Sequence, residues 1–180
     1  MTKTSVGVSL LTNTARLPER AHASDAAFDL YSDQAGILEP GAVLTVSTGV
    51  ALDLPEQLHA LVLSRSGLAA KSGVFVLNSP GLIDSGYRGE VKVILCGVGD
   101  KRMLISQGDR IAQILFQDTL PVGLDRVDRL SPSDRGDKGL GSTGITSKCP
   151  HTNIVQEHNG AFICTRCYME VTARDLDKLM

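Results

Sequence analysis

Short apolar runs, each closed by a turn signal, constrain this chain more than any other feature. Residues 6–11, 43–54, 58–63, 74–77, 90–96, 102–105 and 111–116 are β-branched or apolar stretches. Glu39-Pro-Gly, Asn78-Ser-Pro-Gly and Gly97-Val-Gly-Asp separate them. Strands recurring at this spacing predict an all-β sandwich or barrel. Only residues 66–71, Ser-Gly-Leu-Ala-Ala-Lys, read as helical, for about two turns at most. Aromatic residues make up 4% of the chain and Trp is absent, so the core must rest on Val, Leu, Ile and Ala.

Composition excludes several classes of function. No apolar run approaches the ~18 residues of a membrane span, and the N-terminus lacks the layout of a signal peptide. The expectation is a cytoplasmic protein. A formal net charge of −2 gives no global field for gathering polyanions, so phosphate binding must come from local groups.

From Ser131 the composition changes. Residues 131–148 are rich in Gly and Ser without apolar periodicity, which predicts a flexible arm. Structure signals return over 149–180, including an amphipathic ending at 171–179, so the domain boundary is expected near Lys148.

Five segments mix Gly, charge and a hydroxyl or amide at turns. They are Ser24-Asp-Ala-Ala-Phe-Asp-Leu-Tyr-Ser32, Ser64-Arg-Ser-Gly-Leu-Ala-Ala-Lys71 and Asn78-Ser-Pro-Gly-Leu-Ile-Asp-Ser-Gly-Tyr-Arg-Gly-Glu90. Gly108-Asp-Arg-Ile-Ala-Gln113 and Arg135-Gly-Asp-Lys-Gly-Leu-Gly-Ser-Thr-Gly144 complete the set. Arg65-Ser66-Gly67 opens the short helix, where free N–H groups suit a phosphate; an ordinary N-cap beside a solvated Arg is the alternative. The Gly-rich 135–144 stretch fits a phosphate-cradling loop or a plain linker equally well. Asp84 follows apolar Leu82-Ile83 and can serve as a general base or simply cap a turn.

In this order and spacing the five segments resemble the five motifs of the trimeric dUTPase family. The resemblance covers residues 5–144, and 78–90 is its most specific part. It implies a distorted jelly-roll with one short helix over residues 1–144, and three active sites shared within a homotrimer. It implies hydrolysis of dUTP to dUMP and pyrophosphate, which keeps uracil out of DNA and supplies dUMP for thymidylate synthesis. By motif, Asp29 would hold Mg²⁺ through water, while Arg65, Ser66, Gly67 and Gln113 would contact phosphates. Asn78 and the backbones of Leu82, Ile83 and Lys92 would read the uracil. Asp84 would activate the attacking water, and Tyr87 would pack under the deoxyribose. Arg135, with Leu140 and Gly141 on the arm, would close over the substrate.

Two departures from the family pattern stand out. Leu140 occupies the place of the usual uracil-stacking aromatic, which loses stacking of ~1–3 kcal/mol in comparable sites. Ser64 replaces a common Pro and is expected to change local stiffness more than chemistry. A dCTP deaminase would need a glutamate base and different residues around the second and third motifs. A regulatory binding protein on the same scaffold is the rival from another class, and the intact Asp84, Tyr87 and Arg135 argue against it.

The tail carries Cys149-Pro-His151 and Cys164-Thr-Arg-Cys167. This spacing fits a structural Cys₃His zinc site in a zinc-ribbon-like module, with His158 as the competing fourth ligand. Uncomplexed thiols or a redox Cys-x-x-Cys are the alternatives. Lys148, Arg166, Arg174 and Lys178 are balanced by Glu157, Glu170, Asp175 and Asp177, so nucleic acid is not the expected partner. A protein partner or a trimer-bracing role is expected instead.

Overall fold

The computed structural model describes residues 4–138, 153–157 and 160–172. The chain forms two compact units, Met1–Gly123 and Leu124–Met180. Composition places the boundary near Lys148; the structure parts the units earlier, where the described residues from 119 to 138 are exposed throughout.

In the first unit the chain runs through β1 (Gly7–Leu10), β2 (Phe28–Tyr31), β3 (Gly36–Leu38), β4 (Val43–Asp53) and β5 (Leu58–Leu63). A helix α1 (Ser66–Ser72) follows, then β6 (Val74–Val76), β7 (Gly81–Ile83), β8 (Glu90–Gly97), β9 (Met103–Ile105) and β10 (Arg110–Asp118). Two four-stranded sheets, ordered β1-β4-β8-β6 and β2-β10-β5-β7, make an antiparallel sandwich of jelly-roll type. β3 and β9 pair separately.

Period-two alternation explains which side chains enter the core. On β8, Val91, Val93 and Leu95 are buried while Lys92 between them is exposed. Leu30, Ala112 and Ile114 of the facing sheet are fully buried. Each buried Val, Leu or Ile contributes about 1.5–3 kcal/mol relative to exposure, enough to build a core without Trp. The helix buries none of its residues, so its ends rather than its faces fix it. At its C-terminus, Gly73 takes φ 62° and its N–H bonds Ala69 and Leu68 carbonyls.

The longer strands agree with the sequence expectation, whereas β2, β3 and β7, of three or four residues, escaped it. In the second unit β11 (Ile154–Gln156) pairs antiparallel with β12 (Phe162–Cys164). The expected amphipathic ending lies outside the described residues from 173 onward. No helix among the described residues is long and apolar enough to cross a membrane.

A bulge interrupts the β4–β8 pairing between Ser47 and Ala51. Gly49 sits in it with φ 65°, and a Cβ there would lie 2.6 Å from Ala15 Cβ and 2.8 Å from Asp33 Oδ2. The left-handed conformation alone costs an L-residue ~1–2 kcal/mol. Gly49→Ala is therefore expected to lower stability by about 2 kcal/mol or more, read as an earlier urea midpoint.

Candidate active site

Two clefts hold the motif residues. The first, about 450 Å³, is lined by Asp25, Asp29, Leu63, Arg65, Ser66, Gly67, Arg110 and Gln113 among others. The register of β10 assembles it: Gln113 stands level with Asp29 on β2 and with Leu63 on β5. Arg65 follows β5 as the N-cap of α1, with no side-chain capping bond, so no side chain covers the first-turn N–H groups. A Cβ on Gly67 would meet nothing within 4 Å, which leaves that backbone open to approach.

The half-buried Asp29 carboxylate organises the cleft's cations. Arg65 Nε donates to its Oδ1 at 2.9 Å, and Arg110 Nη1 reaches its Oδ2 at 3.3 Å. Arg65 Nη1 also donates to the Arg110 carbonyl at 2.9 Å. These contacts fix the guanidinium planes before any ligand arrives. A register shift between Arg110 and Ala112 re-aims Arg110 toward Asp29. Arg110 was missed as a site residue, although it lies within the fourth motif.

Gln113 Nε2 donates to the Ser64 carbonyl at 2.8 Å, so this side chain also holds the turn that presents Arg65. Ser64 Oγ accepts from the Val76 N–H at 3.0 Å. The serine therefore ties β5 to β6, a bond that proline lacks; its effect goes beyond the stiffness expected of it.

The second cleft, about 250 Å³, is lined by Val62, Asn78, Gly81, Leu82, Ile83, Asp84, Tyr87, Glu90, Val91 and Lys92. Asp84 is exposed at the end of β7, and its carbonyl accepts from the Tyr87 N–H at 3.1 Å. Tyr87 donates its hydroxyl to the Glu90 carbonyl at 2.9 Å. A Cβ at Gly89 would lie 2.5 Å from that hydroxyl, so glycine there makes room for the ring. Glu90 is a further residue that sequence reasoning missed. Its carboxylate accepts from the Gly49 N–H at 2.9 Å and lies 3.6 Å from Lys92 Nζ.

The structure thus gathers Asp29, Arg65, Ser66, Gly67 and Gln113 in one cleft and Asn78, Leu82, Ile83, Asp84, Tyr87 and Lys92 in the other. Arg135 belongs to the second unit, where its Nε donates to the Lys138 carbonyl at 2.9 Å. Leu140, Gly141, Cys149, His151 and His158 lie outside the described residues. Among the described residues no three His, Cys, Asp or Glu side chains gather as a metal cage.

A jelly-roll that carries these motif residues in two clefts is the class of scaffold that the resemblance in sequence implies. The dUTPase family profile matches residues 13–144. A deoxyuridine 5'-triphosphate nucleotidohydrolase of Clostridium tetani is 44% identical over 144 residues, 80% of this chain and 99% of its own. One from Hydrogenobaculum is 45% identical over 139 residues, 77% of this chain and 96% of its own. A Staphylococcus bacteriophage 80alpha dUTPase bound to dUpNHpp superposes with TM-score 0.71 at 30% identity, over 79% of this chain and 100% of that one. A phage phi11 dUTPase whose structure details a structural Mg(II) ion gives TM-score 0.67 at 26% identity, over 72% and 100%. The chain belongs to the dUTPase family.

Replacing Ser64 isolates its hydroxyl. Ser64→Ala leaves the N–H of buried Val76 without its acceptor, a loss of about 1–3 kcal/mol in stability. Ser64→Thr should restore the bond, and chemical denaturation of both variants checks this.

Proposed function

We propose that this chain hydrolyses dUTP to dUMP and pyrophosphate, its first cleft taking the triphosphate and its second the deoxyuridine. The observation carrying this reading is that residues of the first, second and fourth motifs line one cleft and residues of the third line the other. Two guanidiniums, the helix-start backbone and an amide line one, beside Asp25 and Asp29, whereas an amide, the β7 backbone, a tyrosine, Lys92 and the carboxylates of Asp84 and Glu90 line the other. In the second cleft the β7 backbone around Leu82 and Ile83, with Asn78 and the Lys92 backbone, reads uracil O4 and N3–H. Cytosine inverts that pattern and would leave buried polar groups unpaired. Tyr87 packs under the sugar and leaves no room for a 2′-hydroxyl.

Asp84 orients and deprotonates the water that attacks the α-phosphorus in line. Arg65, the first-turn N–H groups at Ser66 and Gly67, and Gln113 stabilise charge on the phosphate oxygens. Arg135, with Leu140 and Gly141, closes over the substrate from the arm.

The cleft fits Mg²⁺ that arrives with the triphosphate. Arg65 and Arg110 are offset by Asp25 and Asp29, so the lining side chains leave a polyphosphate's charge unmatched. Mg²⁺ is usually held by one or two carboxylates together with substrate phosphates. Asp29 would hold its water shell, and the ion when bound neutralises charge on the leaving pyrophosphate.

The active species proposed is a homotrimer with shared sites. The two clefts have no lining residue in common. Leu63 lines the first and Val62 the second, and adjacent strand residues face opposite sides of a sheet. In this reading a neighbouring copy supplies one half of each site. An apolar cross-strand row of Val43, Cys96 and Phe75 on the outer side of the first sheet suits contact with that copy. For the tail, the reading is a structural zinc site of Cys149, Cys164, Cys167 and one histidine, His151 or His158, in a module that docks a protein partner or braces the trimer.

Asp84→Asn should retain dUTP binding and lose about 10²–10⁴-fold in turnover, measured as pyrophosphate release. Turnover at the wild-type rate would sink the assignment. Refolding Asp84→Asn together with Arg65→Ala tests the sharing of sites. With random mixing, about a quarter of the sites regain both intact halves, so activity should reappear. Persistent inactivity, or light scattering from a fully active monomer, would exclude a shared site.

A further inference from the structure

Glu90 joins the bulge in β4 to the tyrosine ring of the second cleft. We propose that Glu90 is a positioning residue. Its carboxylate fixes the backbone that aims Tyr87, and so sets the preference for a deoxyribose over a ribose nucleotide. This rests on dUTP hydrolysis as proposed above.

The Tyr87 ring needs an external hold. Tyr87 is 47% exposed, so packing covers only part of its side chain. An exposed side chain changes rotamer readily unless its tip is tied down. The tie is the hydroxyl, which donates to the Glu90 carbonyl at 2.9 Å. Gly89 lies under the ring, where a Cβ would stand 2.5 Å from the hydroxyl and 2.7 Å from Cζ. The ring therefore points wherever the Glu90 carbonyl places it.

The β4–β8 ladder does not hold that carbonyl by itself. Ser47 pairs with Lys92 and Ala51 with Glu90, and more residues of β4 than of β8 lie between the two pairs. A bulge of this kind disrupts the ladder locally. Side chains take over there. Glu90 Oε1 accepts from the Gly49 N–H at 2.9 Å, and its Oε2 accepts from Ser47 Oγ at 3.4 Å. Thr48 Oγ1 donates to the Val91 carbonyl. Gly49 is buried, and a buried N–H left without an acceptor is costly, so the carboxylate stays on the bulge. The Glu90 side chain is 22% exposed and lines the second cleft, with Lys92 Nζ 3.6 Å from Oε2. One residue is thus tied to β4 by its side chain and to Tyr87 by its carbonyl.

This hold requires an acceptor of the right length rather than a charge. Glu90→Gln keeps an Oε1 for the Gly49 N–H. Glu90→Asp is one methylene shorter, and Glu90→Ala has no acceptor.

The test is kcat/KM for dUTP and for UTP, measured as pyrophosphate release with the full-length enzyme. Glu90→Ala should lower the dUTP-over-UTP ratio by about tenfold or more, while Glu90→Gln stays within about twofold of wild type. Glu90→Asp carries the same expectation as Glu90→Ala and replaces it should the alanine variant not fold. Tyr87→Phe, which lacks the tied hydroxyl, should lose a similar share of the ratio. Adding Glu90→Ala to Tyr87→Phe should then change the ratio no further, since both act through one contact. A glutamate that only braced the bulge would lower stability and the active fraction alike for both nucleotides, and the ratio would stand. An unchanged ratio in Glu90→Ala and Glu90→Asp, a Gln variant as impaired as Ala, or additive losses in the double variant would each overturn the inference while leaving dUTP hydrolysis intact. Wild type without dUTP turnover would refute the proposed function, and the inference with it.

Discussion

The candidate site depends on the register of one strand. β10 is hydrogen-bonded on both sides, to β2 and to β5, and Gln113 is the position where all three strands stand level. Its neighbours Ala112 and Ile114 are fully buried, so the hydrophobic pattern holds Gln113 on the outer face. A one-residue slip would drive Gln113 inward and two apolar residues into solvent, which a packed face forbids. Asp29, Gln113 and the end of β5 therefore form one row, and Arg65 follows where that row ends. The core chooses the register, and the register arranges the cations.

Strand parity also divides the site. Because Val62 and Leu63 face opposite ways, the lining of one cleft cannot extend into the other along β5. Each cleft carries its own internal support. In the first, Asp29 holds two guanidiniums and Gln113 braces the turn before α1. In the second, Tyr87 is anchored to the Glu90 carbonyl and given room by Gly89. Glu90 is in turn fixed by the β4 bulge at Gly49. Such supports hold the lining groups in fixed orientations before any ligand arrives, the kind of preorganisation on which phosphoryl-transfer sites rely.

Much of this was legible in the amino-acid sequence, and the exceptions have physical reasons. β5 and β8 alternate in burial over six and eight residues, and β4 and β10 are long runs rich in apolar and β-branched residues, so both kinds stand out in the sequence. β7 has three residues, one of them glycine, and its strand character comes from pairing with β5. β2 lies inside a motif whose turn-like residues mask it. The motif residues were placed by resemblance, since an isolated Asp29 or Gln113 is more often structural. Arg110 was missed because an arginine after Gly108-Asp109 reads as a solvated turn residue; only the bulge beside Ala112 turns it toward Asp29. Glu90 was missed because its partner, Gly49, is remote in sequence.

The two units differ in what can hold them together. The first closes over a continuous apolar core supplied by both sheets. In the second, the described residues include only Cys164 and Val171 among buried hydrophobics, and its strands have three residues each. Burial on that scale offsets little of the ~1–2 kcal/mol of backbone entropy lost per ordered residue. Two-stranded hairpins are marginal in water without further support. The hairpin therefore needs support beyond its own two strands. Neither cleft is lined by a residue of that unit's hairpin.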